Sequence, residues 1–202
     1  DAQIKSVTDP TDAQDATTKA YVDDLIVSLE ARITALEPQP PATIGDFRDG
    51  GVVFWVDPTD NTHGLVCSIQ DQSTGIQWYN GSDIVTGATG TAIGTGTTNT
   101  AVIITAQGAV QTNYAAGLAK AYGGGGFNDW FLPSKDELNE MYLNKAAIDA
   151  SATANGGANF SNYYWSSTEY ASFNAWGQNF HLGFQYYYSK YFTYYVRAVR
   201  AF

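Results

Sequence analysis

Apolar and polar positions keep three different rhythms along this chain. Near the start, Val22, Ile26, Leu29, Ile33 and Leu36 follow one another at spacings of 4, 3, 4 and 3 residues. That heptad spacing predicts a helix over about residues 13–36 with a two-heptad apolar seam, which Asp15 and Lys19 extend backwards as polar residues. Nothing nearby in the sequence is helical, so self-association is expected to cover the seam. Ile at a with Leu at d favours two strands, but two heptads are too few for that rule to fix the number. Pro38-Gln39-Pro40-Pro41 ends the helix and forms a stiff spacer. The expected organisation is an oligomerisation segment over 1–37, opened by a polar, turn-rich lead-in, then a linker over 38–43 and one domain over 44–202.

The second rhythm is that of a small mixed domain. Gly50–Val56 and Gly64–Ile69 are apolar, β-rich runs around the turn Asp57-Pro58-Thr59-Asp60-Asn61, which predicts a hairpin. Asn80-Gly81 marks another turn, and the Gly/Thr-rich residues 81–98 read as loop. Asn99-Thr100 is read as the cap of a helix over 101–106, and Ala115, Ala116, Leu118 and Ala119 give a second helix over 114–122, stopped by Gly123–Gly126. No lysine with serine or threonine follows those glycines, so they form no phosphate loop. Ser134 with Glu137 three residues on is a capping box, placing a helix over 135–143 with Leu138, Met141 and Tyr142 inward. The small, polar residues 144–161 read as loop.

From Tyr163 to Phe202 the period disappears while the apolar content rises. This tail holds nine of the chain's 14 tyrosines, with Trp165, Trp176 and five phenylalanines. Trp165, Trp176 and Phe180 read as buried scaffold, with Trp176, Gln178 and Phe180 on one face of a strand. A core needs apolar residues at a fixed period, and Gln185–Tyr195 has none. Tyr, Ser, Asn and Phe held on a scaffold make a paratope-like surface, where rigid rings give contact area at low entropic cost. Phe173, Phe184, Tyr186, Tyr187, Tyr188, Tyr191, Phe192, Tyr194 and Tyr195 are therefore expected to face solvent and cluster. The competing reading makes them the aromatic edge of a β-domain core.

Charge and chemistry narrow the function further. A formal net charge of −10 leaves no basic stripe for nucleic acid. No apolar run is long enough to span a bilayer, and no secretory segment opens the chain, whose start reads as the interior of a longer polypeptide. Cys67, the single cysteine, excludes an internal disulfide framework and sits in the apolar run 64–69 as a buried, inert thiol. His63 falls in a turn and His181 in the irregular tail, neither with a nucleophile or second ligand at metal spacing. Asp136 and Glu137 read as first-turn carboxylates that favour the helix dipole. The expectation is a non-enzymatic protein with no catalytic residues, no cofactor and no metal site, although the loops leave a structural calcium open.

Gly50–Asp57, His63-Gly64-Leu65-Val66, Asn128–Ser134 with Asp136-Glu137-Leu138, and Tyr164-Trp165-Ser166-Ser167-Thr168-Glu169 resemble the Lcl C-terminal family over about residues 44–202. The resemblance implies an α+β, C-type lectin-like domain of mixed antiparallel sheets with two main helices, here preceded by a coiled-coil helix. Enzymes of similar architecture, the formylglycine-generating enzymes, use paired cysteines, which this chain lacks. The Glu-Pro-Asn and Gln-Pro-Asp motifs of calcium-dependent lectins are also missing. The tail further resembles the variable region of proteins diversified by diversity-generating retroelements, in which template adenines, often in AAC codons, are randomised. Ligand-binding positions on that resemblance are Ala171, Ser172, Phe173, Asn174, Gly177, His181, Leu182, Phe184, Tyr186, Tyr187, Tyr188, Ser189, Tyr191, Phe192, Thr193, Tyr194 and Tyr195. Randomising the first two bases of AAC never yields Lys, Glu, Gln, Met or Trp, and none of these occurs at those positions. Glu169, Trp176, Gln178, Gln185 and Lys190 would be fixed.

Residues 4–16 with Lys19–Asp23 are similar to a motif of phage tail fibres, which are usually trimers. Together the resemblances imply a homotrimeric receptor-binding tip on the virion, recognising a protein or glycan of the host-cell surface. A bacterial surface adhesin with the same domain is the alternative, and a fibre cap without a ligand is the third reading. The ligand itself is a property of the variant.

Overall fold

A computed structural model describes residues 19–36, 40–108, 110 and 112–202. It separates into two compact units, the first ending at Pro40 and the second covering Pro41–Phe202.

In the first unit helix α1 runs Lys19–Leu36. Val22, Ile26 and Leu29 of the expected seam lie exposed, as do Tyr21, Leu25 and Val27 off it. Lys19 and Asp23 pair one turn apart. The expected helix start at 13–18, the fibre-like opening, Pro38-Gln39 and the side chains of Ile33 and Leu36 lie outside the described residues.

The second unit is a mixed α+β domain. Its first sheet joins β1 (Phe47–Arg48), β2 (Gly51–Val56), β3 (Gly64–Cys67) and β9 (Val199–Ala201) in the order β1-β2-β3-β9, all antiparallel. The chain's end thus closes against the predicted hairpin, and the inert thiol of Cys67 is pushed up to about 12 by burial. The second sheet comprises β4 (Ser73–Ile76), β5 (Tyr163–Ala171), β6 (Asn174–Asn179), β7 (Gln185–Ser189) and β8 (Tyr194–Val196), ordered β4-β8-β5-β6-β7. Its pairs are antiparallel except β5 with β8, which meet in parallel at Tyr164 and Tyr195.

Helices α2 (Gly96–Gln107), α3 (Ala115–Ala121), α4 (Lys135–Leu143) and α5 (Lys145–Ala154) complete the unit. Against the two main helices expected, the described residues of this unit form four α-helices. The capping box on α4 is present, with Ser134 and Glu137 each bonding the other's backbone N–H. Glu137 does more than favour the dipole: fully buried, it also accepts from the Gly94 N–H at 2.7 Å and so fastens the preceding loop. Residues 145–154 are a helix rather than the expected loop, because alanine is the best helix former and Ile148 and Ala152, one turn apart, suffice to bury one face. Asn99 is not a cap, since α2 starts earlier and the Asn99 side chain bonds both backbone groups of Gly90, at 3.1 and 2.7 Å. These contacts satisfy the backbone of the long 81–95 connection, which has no secondary structure of its own.

Two clusters form the core. One gathers Trp78, Tyr114, Trp130 and Trp165 with Val53, Val66, Ile103 and Val196. The other gathers Phe54, Phe131, Leu138, Met141, Phe160, Tyr164 and Phe180. Each buried indole N–H finds a carbonyl: Trp78 donates to Ser166 at 2.8 Å and Trp165 to Ile76 at 2.9 Å.

Candidate ligand-binding face

The tail crosses the second sheet from its interior to its free edge. β5 lies in the middle and buries Tyr164 through Glu169. On β6, Ala175 lies in the first core cluster and Gly177 pairs with Trp165, whose ring already fills the space on that side. A Cβ on Gly177 would come within 2.9 Å of the Tyr164 carbonyl. Trp176 is therefore turned to the other side and is half-buried rather than core, while Gln178 is buried on its side beneath α4. Trp165 and Phe180 are buried, as expected.

β7 is the edge strand. Its residues pair Tyr188 with Ala175, Tyr187 with Trp176 and Tyr186 with Gly177. Alternation puts Tyr187 beside Trp176, and Tyr186 and Tyr188 on the opposite side. At the free edge the rings of Tyr186 and Tyr187 nevertheless stack, with centroids 4.5 Å apart. Tyr170 stacks on Tyr187 at 4.0 Å and 6°, and Trp176 stands edge-on to both. The Lys135 ammonium lies 4.9 Å over Trp176. On the other side Tyr163 stacks on Tyr194 at 5.1 Å, Tyr194 on Phe192 at 6.1 Å, and Phe192 meets Tyr191. Tyr186 contacts Tyr188, which stands edge-on to Tyr163 and Tyr194, so one connected array of rings runs from Tyr170 to Tyr191.

Of the positions read from the sequence, Phe173, His181, Leu182, Phe184, Tyr186, Tyr191, Phe192 and Thr193 are exposed. Ala171, Ser172, Asn174, Tyr187, Tyr188, Ser189, Tyr194 and Tyr195 are half-buried. Gly177 is buried and cannot face a ligand, for the packing reason just given. Tyr188 and Tyr194 rest on the first core cluster, and burial raises both phenols above their ordinary value. Tyr187 is raised by its hydrogen bond with Tyr186. Tyr195 leans into the second cluster against Tyr164. The rings from Phe184 to Tyr194 come together. His181 and Leu182 stand apart on the β6–β7 turn, where both N–H groups bond the Asn179 side chain and Gly183 adopts a φ of 87°. Tyr170 and Tyr163 also belong to the array, beyond the positions read from the sequence; their signal is the same loss of period, beginning earlier than Ala171.

The polar residues between these positions serve the scaffold. Gln178 donates to Asn139 of α4 at 3.0 Å, and Gln185 to the Lys135 carbonyl at 2.7 Å. Lys190, with a fully buried side chain, pairs with Glu169 at 2.5 Å and donates to the carbonyls of Ile84 and Ser172. Glu169 in turn accepts from the N–H groups of Thr86 and Gly87 at 2.8 and 3.0 Å. Burial lowers the Lys190 ammonium from its ordinary value, and the Glu169 carboxylate opposes that shift.

Among the described residues no group of three or more His, Cys, Asp and Glu is placed to hold a metal ion, and no helix is long and apolar enough to cross a membrane.

A mixed α+β scaffold that lays an aromatic-rich surface over the edge of its sheet fits a binding protein. The chain belongs to the Lcl C-terminal domain family, whose model matches residues 68–200. The match takes in the Asn128–Ser134 and Tyr164–Glu169 motifs and the whole ring array, while the Gly50–Asp57 and His63–Val66 motifs precede it. No curated protein matches the chain.

Proposed function

We propose that this protein is a receptor-binding tip of a phage tail fibre, displaying a diversified aromatic surface on a C-type lectin-like domain and recognising a bacterial surface receptor without catalysis. The observation that carries this reading is the ring array itself. Tyr170, Phe184, Tyr186, Tyr191 and Phe192 of this array are exposed by 40–55 %, an aromatic concentration that soluble domains keep for contact surfaces. The separation of roles supports diversification. Eight of the 17 display positions offer side chains to solvent and eight more are half-buried, while the intervening Glu169, Gln178, Gln185 and Lys190 hold backbone and helix. Family membership agrees with a binding role.

The exposed seam of α1 supplies a reason to assemble, and the trimer follows from the tail-fibre resemblance. Linking three weak sites raises avidity by about 10²–10⁴. Binding of the intact chain to a panel of bacterial cells, compared with Tyr186→Ser/Tyr191→Ser/Phe192→Ser, tests the display role; equal binding by both overturns it. Light scattering tests assembly: a monomer or dimer of the intact chain overturns the trimer. An adenine-rich near-repeat beside a reverse-transcriptase gene would mark the tail as diversified.

A further inference from the structure

The display residues read from the sequence all lie in the tail, but the buried Lys190–Glu169 pair ties another stretch to the same edge. Lys190 Nζ donates to the Ile84 carbonyl at 3.0 Å and to the Ser172 carbonyl at 2.7 Å. Two carbonyls on one ammonium lie within a few ångströms of each other, so Ile84 sits beside the turn that carries Phe173. The backbone N–H of Lys190 donates to the Phe173 carbonyl at 2.9 Å, and Tyr191 follows directly. Beyond Ile84, the N–H groups of Thr86 and Gly87 end on Glu169. The loop over residues 82–87 is thus fastened through its backbone, while its side chains are left outward. Ile84 is 37 % and Val85 70 % exposed, both β-branched, and the other residues of the 82–87 loop are small or polar.

We propose that this loop and the tail rings form one continuous face whose partner is an uncharged, apolar patch on a folded protein. The proposal rests on the display role argued above and names its ligand class. Two observations select that class. First, between Ala171 and Tyr195 the one Lys, Arg, Asp or Glu is Lys190, whose side chain is buried, and the 82–87 loop adds a single exposed carboxylate, Asp83, so the face carries little fixed charge despite the chain's net −10. Second, the central rings turn their faces to one another. Tyr187 stacks with Tyr170 at 4.0 Å and with Tyr186 at 4.5 Å, and Tyr194 with Tyr163 and Phe192. A sugar ring packs its C–H bonds on a free aromatic face. Ring edges, phenol hydroxyls and aliphatic side chains such as Ile84 and Val85 suit instead the mixed surface of a protein, the way paratopes use tyrosine.

The test probes the full chain with two defined ligand sets: a yeast-displayed library of a small folded scaffold, and an array of neutral glycans. Binders selected from the library should concentrate on the tail and lose affinity with Tyr186→Ser/Tyr191→Ser/Phe192→Ser. They should also weaken by roughly tenfold or more with Ile84→Ser/Val85→Ser, the loss expected of a side chain near the centre of a contact. Their affinity should change little between low and high salt. Both variants alter exposed side chains, and unchanged melting curves will show that they fold. Tail-directed binders indifferent to the loop variant overturn the shared face and leave the display role standing. Tail-dependent binding to the glycan array overturns the protein partner and also leaves that role standing. Binders that ignore the tail altogether overturn the display role itself.

Discussion

β5 and β7 are two strands of one sheet, both rich in tyrosine, and they use it in opposite ways. On β5 the polar end of each buried ring is answered by the protein: the Tyr164 hydroxyl donates to Asp71 at 3.1 Å and the Trp165 indole to Ile76. On β7 the rings of Tyr186, Tyr187 and Tyr188 meet other tail rings, and Tyr186 is exposed. Aromatic content therefore does not locate a core. What locates it is where the polar handle of the ring is bonded: Tyr164 and Trp165 reach residues outside the tail, Asp71 and Ile76, whereas Tyr187 bonds Tyr186 beside it, and a buried hydroxyl or indole N–H left unpaired costs about 1–3 kcal/mol.

The largest test of this contrast is Trp165→Ala, which should lower unfolding free energy by about 3–5 kcal/mol in denaturant titrations. A loss below about 1 kcal/mol would break the comparison. Lys190→Ala should fall in the same range, about 3–5 kcal/mol, because it leaves the Glu169 carboxylate buried without its counter-charge. It should also raise hydrogen exchange at Thr86 and Gly87. Trp176→Ala should cost less, about 1–2 kcal/mol, since a half-buried ring loses only part of a full transfer energy. A cost equal to that of Trp165→Ala would return Trp176 to the core.

A smaller effect concerns pH. Burial raises the Glu137 carboxyl above its ordinary value, so the folded state binds this proton more tightly than the unfolded chain. Its contribution is full below the unfolded pKa and is lost as pH rises through the folded one. Glu137→Gln should flatten that fall, measured as unfolding free energy from mildly acidic to neutral pH. Smallest of all, each serine in Tyr186→Ser/Tyr191→Ser/Phe192→Ser should shift stability by no more than about 0.5 kcal/mol. Collapse of this variant would make β7 as much a core strand as β5.

Much of the fold is legible in the sequence where one physical signal dominates. The hairpin, the capping box and the α3 stripe each have a period or a cap that only one element explains. The departures share a cause. Helix α5 buries just Ile148 and Ala152, too little apolar matter to register against a run of small residues, although alanine's propensity points to a helix. Trp176 reads as inward because large apolar residues usually are. On β6 the inward places have to be small, since Trp165 takes the volume, and no strand pattern reveals a neighbour's size before the register is known. The exposed tail positions are legible through their missing period. Ile84 and Val85 are not, because only the Lys190 side chain, 106 positions beyond Ile84, brings that loop to them.

The grip of Lys190 and Glu169 falls on main-chain atoms: two carbonyls on one side, two amide N–H groups on the other. Every residue type offers a carbonyl, and all but proline offer the N–H. At positions 84 and 172, held by their carbonyls, the anchor is therefore blind to the identity of what it anchors, while Gly87, at a φ of 84°, keeps its glycine. Codons 84, 85, 172 and 173 can be rewritten while the frame that holds them keeps all its partners. A lineage carrying this frame can explore new surfaces by point changes without first rebuilding a fold.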